Sequence, residues 1–115
     1  MEEMLAMAIT MNLFYRGING NARKFVEEMI TSGTVDMIKA EEGNICYEYY
    51  SSISNPEEIL LIDSWDNQDS IDKHHASPMM KTIIDLRNKY DLHMEAKRYI
   101  SNDELPKDDI EFIRE

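Results

Sequence analysis

Cysteine is nearly absent from this chain, and basic residues are outnumbered almost two to one by acidic ones. Cys46 is the single cysteine in 115 residues, which excludes an internal disulfide framework and a thiolate metal centre. Lys and Arg number 12 against 23 Asp and Glu, for a formal net charge of -11. A surface of that sign repels phosphates, and no Lys/Arg cluster interrupts it, so neither nucleic acid nor an anionic membrane is an expected partner. No apolar run reaches bilayer length, and the first residues carry Glu2 and Glu3 in place of a basic leader. No grouping of His, Asp and Cys has metal-ligand spacing, so no metal is expected. These absences predict a soluble, cytoplasmic, single-domain protein that buries about two-thirds of its unfolded surface. Methionine, by contrast, is plentiful. Nine Met side chains suit a flexible core filler or the lining of an irregular apolar pocket.

Alternation and turn chemistry set the order of elements. Residues 4–15 read as a strand with Leu5, Met7, Ile9, Met11 and Leu13 on one face and Ala6, Ala8, Thr10, Asn12 and Phe14 on the other. Residues 17–21 form a turn, with Asn21 as a helix cap, and a helix follows over 22–40 with Ser32-Gly33 marking a bend or interruption. Residues 45–52 and 59–65 alternate as two strands around an Asn55-Pro56 connection. In them Ile45, Tyr47, Tyr49 and Ser51 share a face, as do Leu61, Asp63 and Trp65. Asp66 is placed to cap the next helix, and Ser77-Pro78 starts another, proline taking the first position where its missing N–H costs nothing. That helix ends at Tyr90-Asp91, and residues 92–100 form the last strand.

The order β-α-β-β-α-β predicts an α+β, ferredoxin-like fold, a four-stranded antiparallel sheet with helices on one face, over residues 1–101. Residues 102–115 form an acidic tail whose Ile110, Phe112 and Ile113 could dock on a neighbouring subunit. With both faces of several strands apolar, Phe14, Tyr47, Tyr49, Leu61 and Trp65 are placed on the side away from the helices. An exposed face of that kind predicts a homodimer, sheet against sheet.

The tract from Ser64 to Met80 holds the only tryptophan and two of the three histidines, His74 and His75. Three segments carry a resemblance: Glu41-Glu42-Gly43-Asn44-Ile45-Cys46-Tyr47-Glu48, Ile62-Asp63-Ser64-Trp65, and His74 with Ser77-Pro78. Together they resemble the antibiotic biosynthesis monooxygenase family of dimeric α+β barrel proteins. The family pattern is similar to E-x-G-N/C-x-x-Y, then E-x-W, then H-x-x-S/T-P-H-F, and the likeness spans residues 4–100. Asp63 stands where the pattern has Glu, and Met79 and Met80 replace its second histidine and the following aromatic. The resemblance implies cofactor-free oxygenation of a quinol or anthrone. Other members degrade haem or isomerise a phosphorylated sugar. Residues 79–90 contain no histidine, which removes the iron ligand that haem degradation would require.

On this reading the catalytic candidates are His74 as proton acceptor, Asp63 as a carboxylate amid aromatics, and Asn12 near a developing oxyanion. Trp65, Tyr47, Tyr49, Phe14 and Met79 are expected to form the walls for a small aromatic or lipophilic molecule. His74 and His75 lie about 100° apart on a helix, so only one can face a pocket squarely; the resemblance favours His74 and leaves His75 to solvent. No cofactor is implied. The alternatives are a non-enzymatic dimer that binds such a molecule, and an isomerase of a small metabolite.

Overall fold

The computed structural model describes residues 7–114. Alternating apolar residues build four strands: β1 (Ile9–Arg16), β2 (Asn44–Ser51), β3 (Glu58–Trp65) and β4 (His93–Ile100). Two helices, α1 (Asn21–Thr31) and α2 (Thr34–Lys39), lie between β1 and β2. Two more, α3 (Gln68–His75) and α4 (Pro78–Lys89), lie between β3 and β4, and a single turn, α5 (Lys107–Ile110), follows. All neighbouring strands are antiparallel, in the order β2-β3-β1-β4. This is the ferredoxin-like α+β arrangement.

Register decides which side chains meet the helices. Leu13 lies opposite Leu61 and Ala96, Met11 opposite Asp63 and Arg98, and Tyr47 opposite Asp63. Since paired residues share a face, the helix-facing side carries Ile9, Leu13, Tyr15, Tyr47, Ile59, Leu61 and Trp65, all buried. Phe25, Met29, Ile38, Ile71, Ile83 and Leu86 close the core from the helices. The expected placement of Tyr47, Tyr49, Leu61 and Trp65 on the open side is therefore corrected; of the five residues only Phe14 is there. A strand face cannot be assigned to helices or to solvent from alternation when both faces are apolar.

Local departures from the expected elements have identifiable causes. Strand β1 starts at Ile9, and residues 4–6 lie outside the described part. The helix expected over 22–40 is interrupted at Ser32-Gly33 as anticipated, and forms two helices divided where Gly33 takes a left-handed φ of 79°. Asn21 is the first helical residue after Gly20 and holds the Tyr90 carbonyl through its amide at 3.1 Å instead of capping. A register irregularity between Asn44 and Cys46 displaces Ile45 from the face it was expected to share with Tyr47, leaving it exposed.

The glycine of Glu41-Glu42-Gly43-Asn44 has a structural task. Gly43 has φ 87°, and a Cβ there would lie 2.2 Å from Ser70 Oγ and 2.4 Å from Asp66 Oδ1. Its carbonyl accepts the Asp66 N–H at 2.9 Å, and Asn44 Nδ2 donates to the carbonyls of Cys46 and Ser64. The motif thus joins the start of β2 to the junction of β3 and α3. Asp66 takes part there by accepting from Ser70 Oγ at 2.6 Å, while Asn67, not Asp66, caps α3 through the Ser70 N–H at 2.9 Å.

Among the described residues no helix covers β4, whose eight residues are all exposed. The sheet's last strand therefore overhangs the helices, and a cavity opens beneath it.

Candidate active site

That cavity, about 270 Å³, lies between the helix-facing side of the sheet and helices α3 and α4. Met11, Leu13, Met80, Met94 and Ala96 supply apolar walls, and Asp63, Trp65, Gln68, His75, Arg87 and Arg98 supply the polar groups. Alternation brings Met11, Leu13, Asp63, Met94, Ala96 and Arg98 onto one sheet face across three strands. On α4, Met80 and Arg87 are separated by two helical turns and reach the same side. The size and composition suit one small, largely apolar molecule held by a few polar contacts.

Asp63 is the buried carboxylate of the site. It is 7 % exposed, and its Oδ1 accepts the Trp65 indole N–H at 2.6 Å. Burial pushes its pKa up from 3.8 to about 6, opposed by the Trp65 hydrogen bond and by the nearby charges of His74 and Arg87, with Glu41 acting in the same direction as burial. A carboxylate so placed ionises near neutral pH and is a stronger base than a solvated one.

His74 stands behind this pair. It is 4 % exposed, and its ring stacks on Trp65 with centroids 4.8 Å apart and planes 29° from parallel. Its Nδ1 lies 2.8 Å from Glu41 Oε1, and Tyr47 meets it edge-on at 6.4 Å. Its carbonyl accepts the Ser77 hydroxyl at 2.7 Å, tying it to the break between α3 and α4. The expected base therefore does not itself line the cavity. His74 holds the indole from the side away from the cavity, and its neighbour His75 contributes to the cavity wall. Met79 and Met80 both pack against the core, and of the two it is Met80 that also lines the cavity.

Asn12 and Phe14 do not join this cavity. They alternate with Met11, Leu13 and Tyr15, so they occupy the open face of the sheet, with the sheet itself between them and Asp63. Tyr47 and Tyr49 are on the helix-facing side, yet they border a different groove of about 420 Å³ against α1 and α2. That groove is flanked by surface ion pairs, Lys39 with Glu48 and Arg23 with Glu27. Its phenols are pushed to higher pKa by burial and stay neutral.

Arg87 is the functional candidate that residue patterns undervalue. Its Nη2 donates to Tyr15 Oη at 3.0 Å and its guanidinium lies 5.5 Å from the Tyr15 ring centre, while its Nε is buried without a partner among the described residues. The signal was its helical spacing from Met80 and Ile83. Among the described residues no three His, Cys, Asp or Glu side chains converge as a metal site, and no helix is long and apolar enough to cross a membrane.

The profile of the antibiotic biosynthesis monooxygenase family matches residues 8–86, more than half of the chain. The chain belongs to the antibiotic biosynthesis monooxygenase family. Solved structures share its fold at low identity. A conserved protein of Methanosarcina mazei Go1 is 22 % identical with a TM-score of 0.72, covering 89 % of this chain and 100 % of its own. A conserved protein of Bacteroides thetaiotaomicron VPI-5482 is 18 % identical with a TM-score of 0.73, over 84 % and 99 %. SnoaB, a cofactor-independent oxygenase from Streptomyces nogalater seen as a mutant, is 15 % identical with a TM-score of 0.71, over 89 % and 100 %. No protein of curated function matches the chain by sequence.

The raised pKa of Asp63 makes a stability prediction. The protonated form is favoured in the folded state, so that contribution is complete below pH 3.8 and is lost as pH rises through about 6. Ionisation of the buried group then costs on the order of 3 kcal/mol. Asp63→Asn keeps an acceptor for the Trp65 N–H and removes the charge. Urea denaturation should find it more stable than wild type by about 1–3 kcal/mol at pH 8 and nearly equal at pH 4. A difference independent of pH would contradict the assignment.

Proposed function

We propose that this protein is a cofactor-independent monooxygenase that oxidises a small aromatic substrate, a quinol or an anthrone, with O₂. The observation that carries this reading is a carboxylate with a pKa near 6 in a methionine-rich cavity, fixed by the indole beside it. Family membership and the activity of SnoaB, a cofactor-independent oxygenase with the same fold, support it.

Asp63 takes a proton from the substrate's hydroxyl or activated C–H, leaving an electron-rich phenolate or enolate. Arg87, whose buried Nε–H has no acceptor among the described residues, stabilises the anion from the opposite wall. The anion reduces O₂ by one electron, and the radical pair joins to form a C–O bond. For an anthrone the resulting peroxide loses water, so that one CH₂ and one O₂ become one C=O and one H₂O. Trp65 holds the carboxylate oxygen and forms a flat wall for the ring. His74 is a positioning residue, since it reaches the chemistry only through Trp65.

Oxygen uptake on a panel of hydroquinones and anthrones tests this. The rate should rise with pH through about 6 as Asp63 ionises, and Asp63→Asn should lower it roughly 10²–10⁴-fold. Equal uptake by wild type and Asp63→Asn across the panel would refute the mechanism.

We also infer that two chains pack their open sheet faces together, closing an α+β barrel. Phe14, Leu60 and Ile62 sit half-buried at the centre of that face, and Tyr50 and Tyr99 are exposed beside them. Such a face is stabilised by removal from water. Leu105, Ile110, Phe112 and Ile113 of the tail are exposed on the single chain and would dock on the second copy. Sedimentation should find a dimer for wild type and a monomer for Ile62→Glu; a wild-type monomer at micromolar concentration would exclude the interface.

A further inference from the structure

We propose that the cavity's substrate carries a carboxylate on its aromatic frame, and that Arg98 is the residue that selects for it. The inference rests on the cavity being the substrate site, and it adds the class of substrate and a specificity residue.

The chain as a whole repels anions, with 23 acidic residues against 12 basic. Yet the cavity holds two guanidinium groups, Arg87 from α4 and Arg98 from β4, against one carboxylate, Asp63. Even with Asp63 ionised the balance of these fixed charges is positive, and with Asp63 protonated it is more so. Among the described residues neither arginine has a carboxylate within ion-pairing distance, whereas the surface cations Arg16, Lys39, Lys73, Lys81 and Lys89 each do. Arginine cannot shed its charge to relieve burial. The buried Nε–H of Arg87 therefore lacks an acceptor that a bound anion would supply.

The two arginines are suited to different tasks. Arg87 is anchored by Tyr15 deep in the site and faces the charge that develops during reaction. Arg98 sits on the uncovered strand, opposite Met11 in register, where the cavity opens. A substituent at the mouth meets Arg98 in the ground state, and the planar guanidinium fork matches a carboxylate's two oxygens. Because Arg98 contributes equally before and after the chemical step, its effect belongs to substrate binding and not to the rate of conversion.

Calorimetric titration with 2-naphthoate and 2-naphthamide, neither of which needs to react, separates recognition from oxygenation. Naphthoate should bind about tenfold or more tightly than the amide. Arg98→Ala should bring the two within about threefold by weakening naphthoate alone, and Arg98→Lys should restore part of the preference. The exposed position of Arg98 keeps both variants folded, which circular dichroism checks. Equal binding of the two probes, undiminished naphthoate binding by Arg98→Ala, or no binding of either would overturn the proposal. Selective naphthoate binding by a protein that consumes no oxygen on any substrate would instead refute the oxygenase reading and leave this one standing.

Discussion

The hydrogen bond from the Trp65 indole to the Asp63 carboxylate is the contact on which the rest of the site depends. At 2.6 Å it joins two side chains of one strand that point to the same face, one a large apolar ring and the other a group that burial penalises. The indole limits the penalty by donating to the carboxylate, and burial still dominates, so the acid titrates near neutrality. Behind the indole, the stacked His74 and its partner Glu41 fix the ring plane. In front of it lies the cavity. A single two-residue spacing in β3 thus couples packing to proton chemistry.

This arrangement also assigns a structural meaning to the motifs that resemble the family. Gly43 and Asn44 hold the beginning of β2 against the end of β3, and Ser77 holds the helix break against His74. They bring Glu41 against the buried Trp65 and His74. The cavity-facing residues are a different set. Met11, Met80, Arg87, Met94 and Arg98 form the wall in front of that frame.

The strand and helix order was legible because each turn carried its own chemistry: Gly17 to Asn21, Glu42 to Asn44, Asn55-Pro56, and Ser77-Pro78. Asp63 and Trp65 were legible as a pair because alternate residues of a strand share a face. The facing of that pair was not, because β1 and β3 are apolar on both sides and only tertiary packing shows which side the helices cover. Helical phase failed at finer scale. His74 and His75, like Met79 and Met80, are neighbours separated by about 100°, and only the second of each pair lines the cavity. Asn12 was placed with Asp63 as a polar residue of an apolar strand, but its odd–even position put the sheet between them. Arg98 gave little signal alone, because only the fold shows that among the described residues no helix lies over β4.

The account's central claim is that Asp63 is a carboxylate tuned by burial to serve as a base in this cavity. The most direct measurement is the pH titration of its side-chain carboxyl ¹³C shift by nuclear magnetic resonance in the folded protein, assigned by comparison with Asp63→Asn. A midpoint near pH 6 is the predicted result. A midpoint near 4, the value of a solvated aspartate, would contradict it.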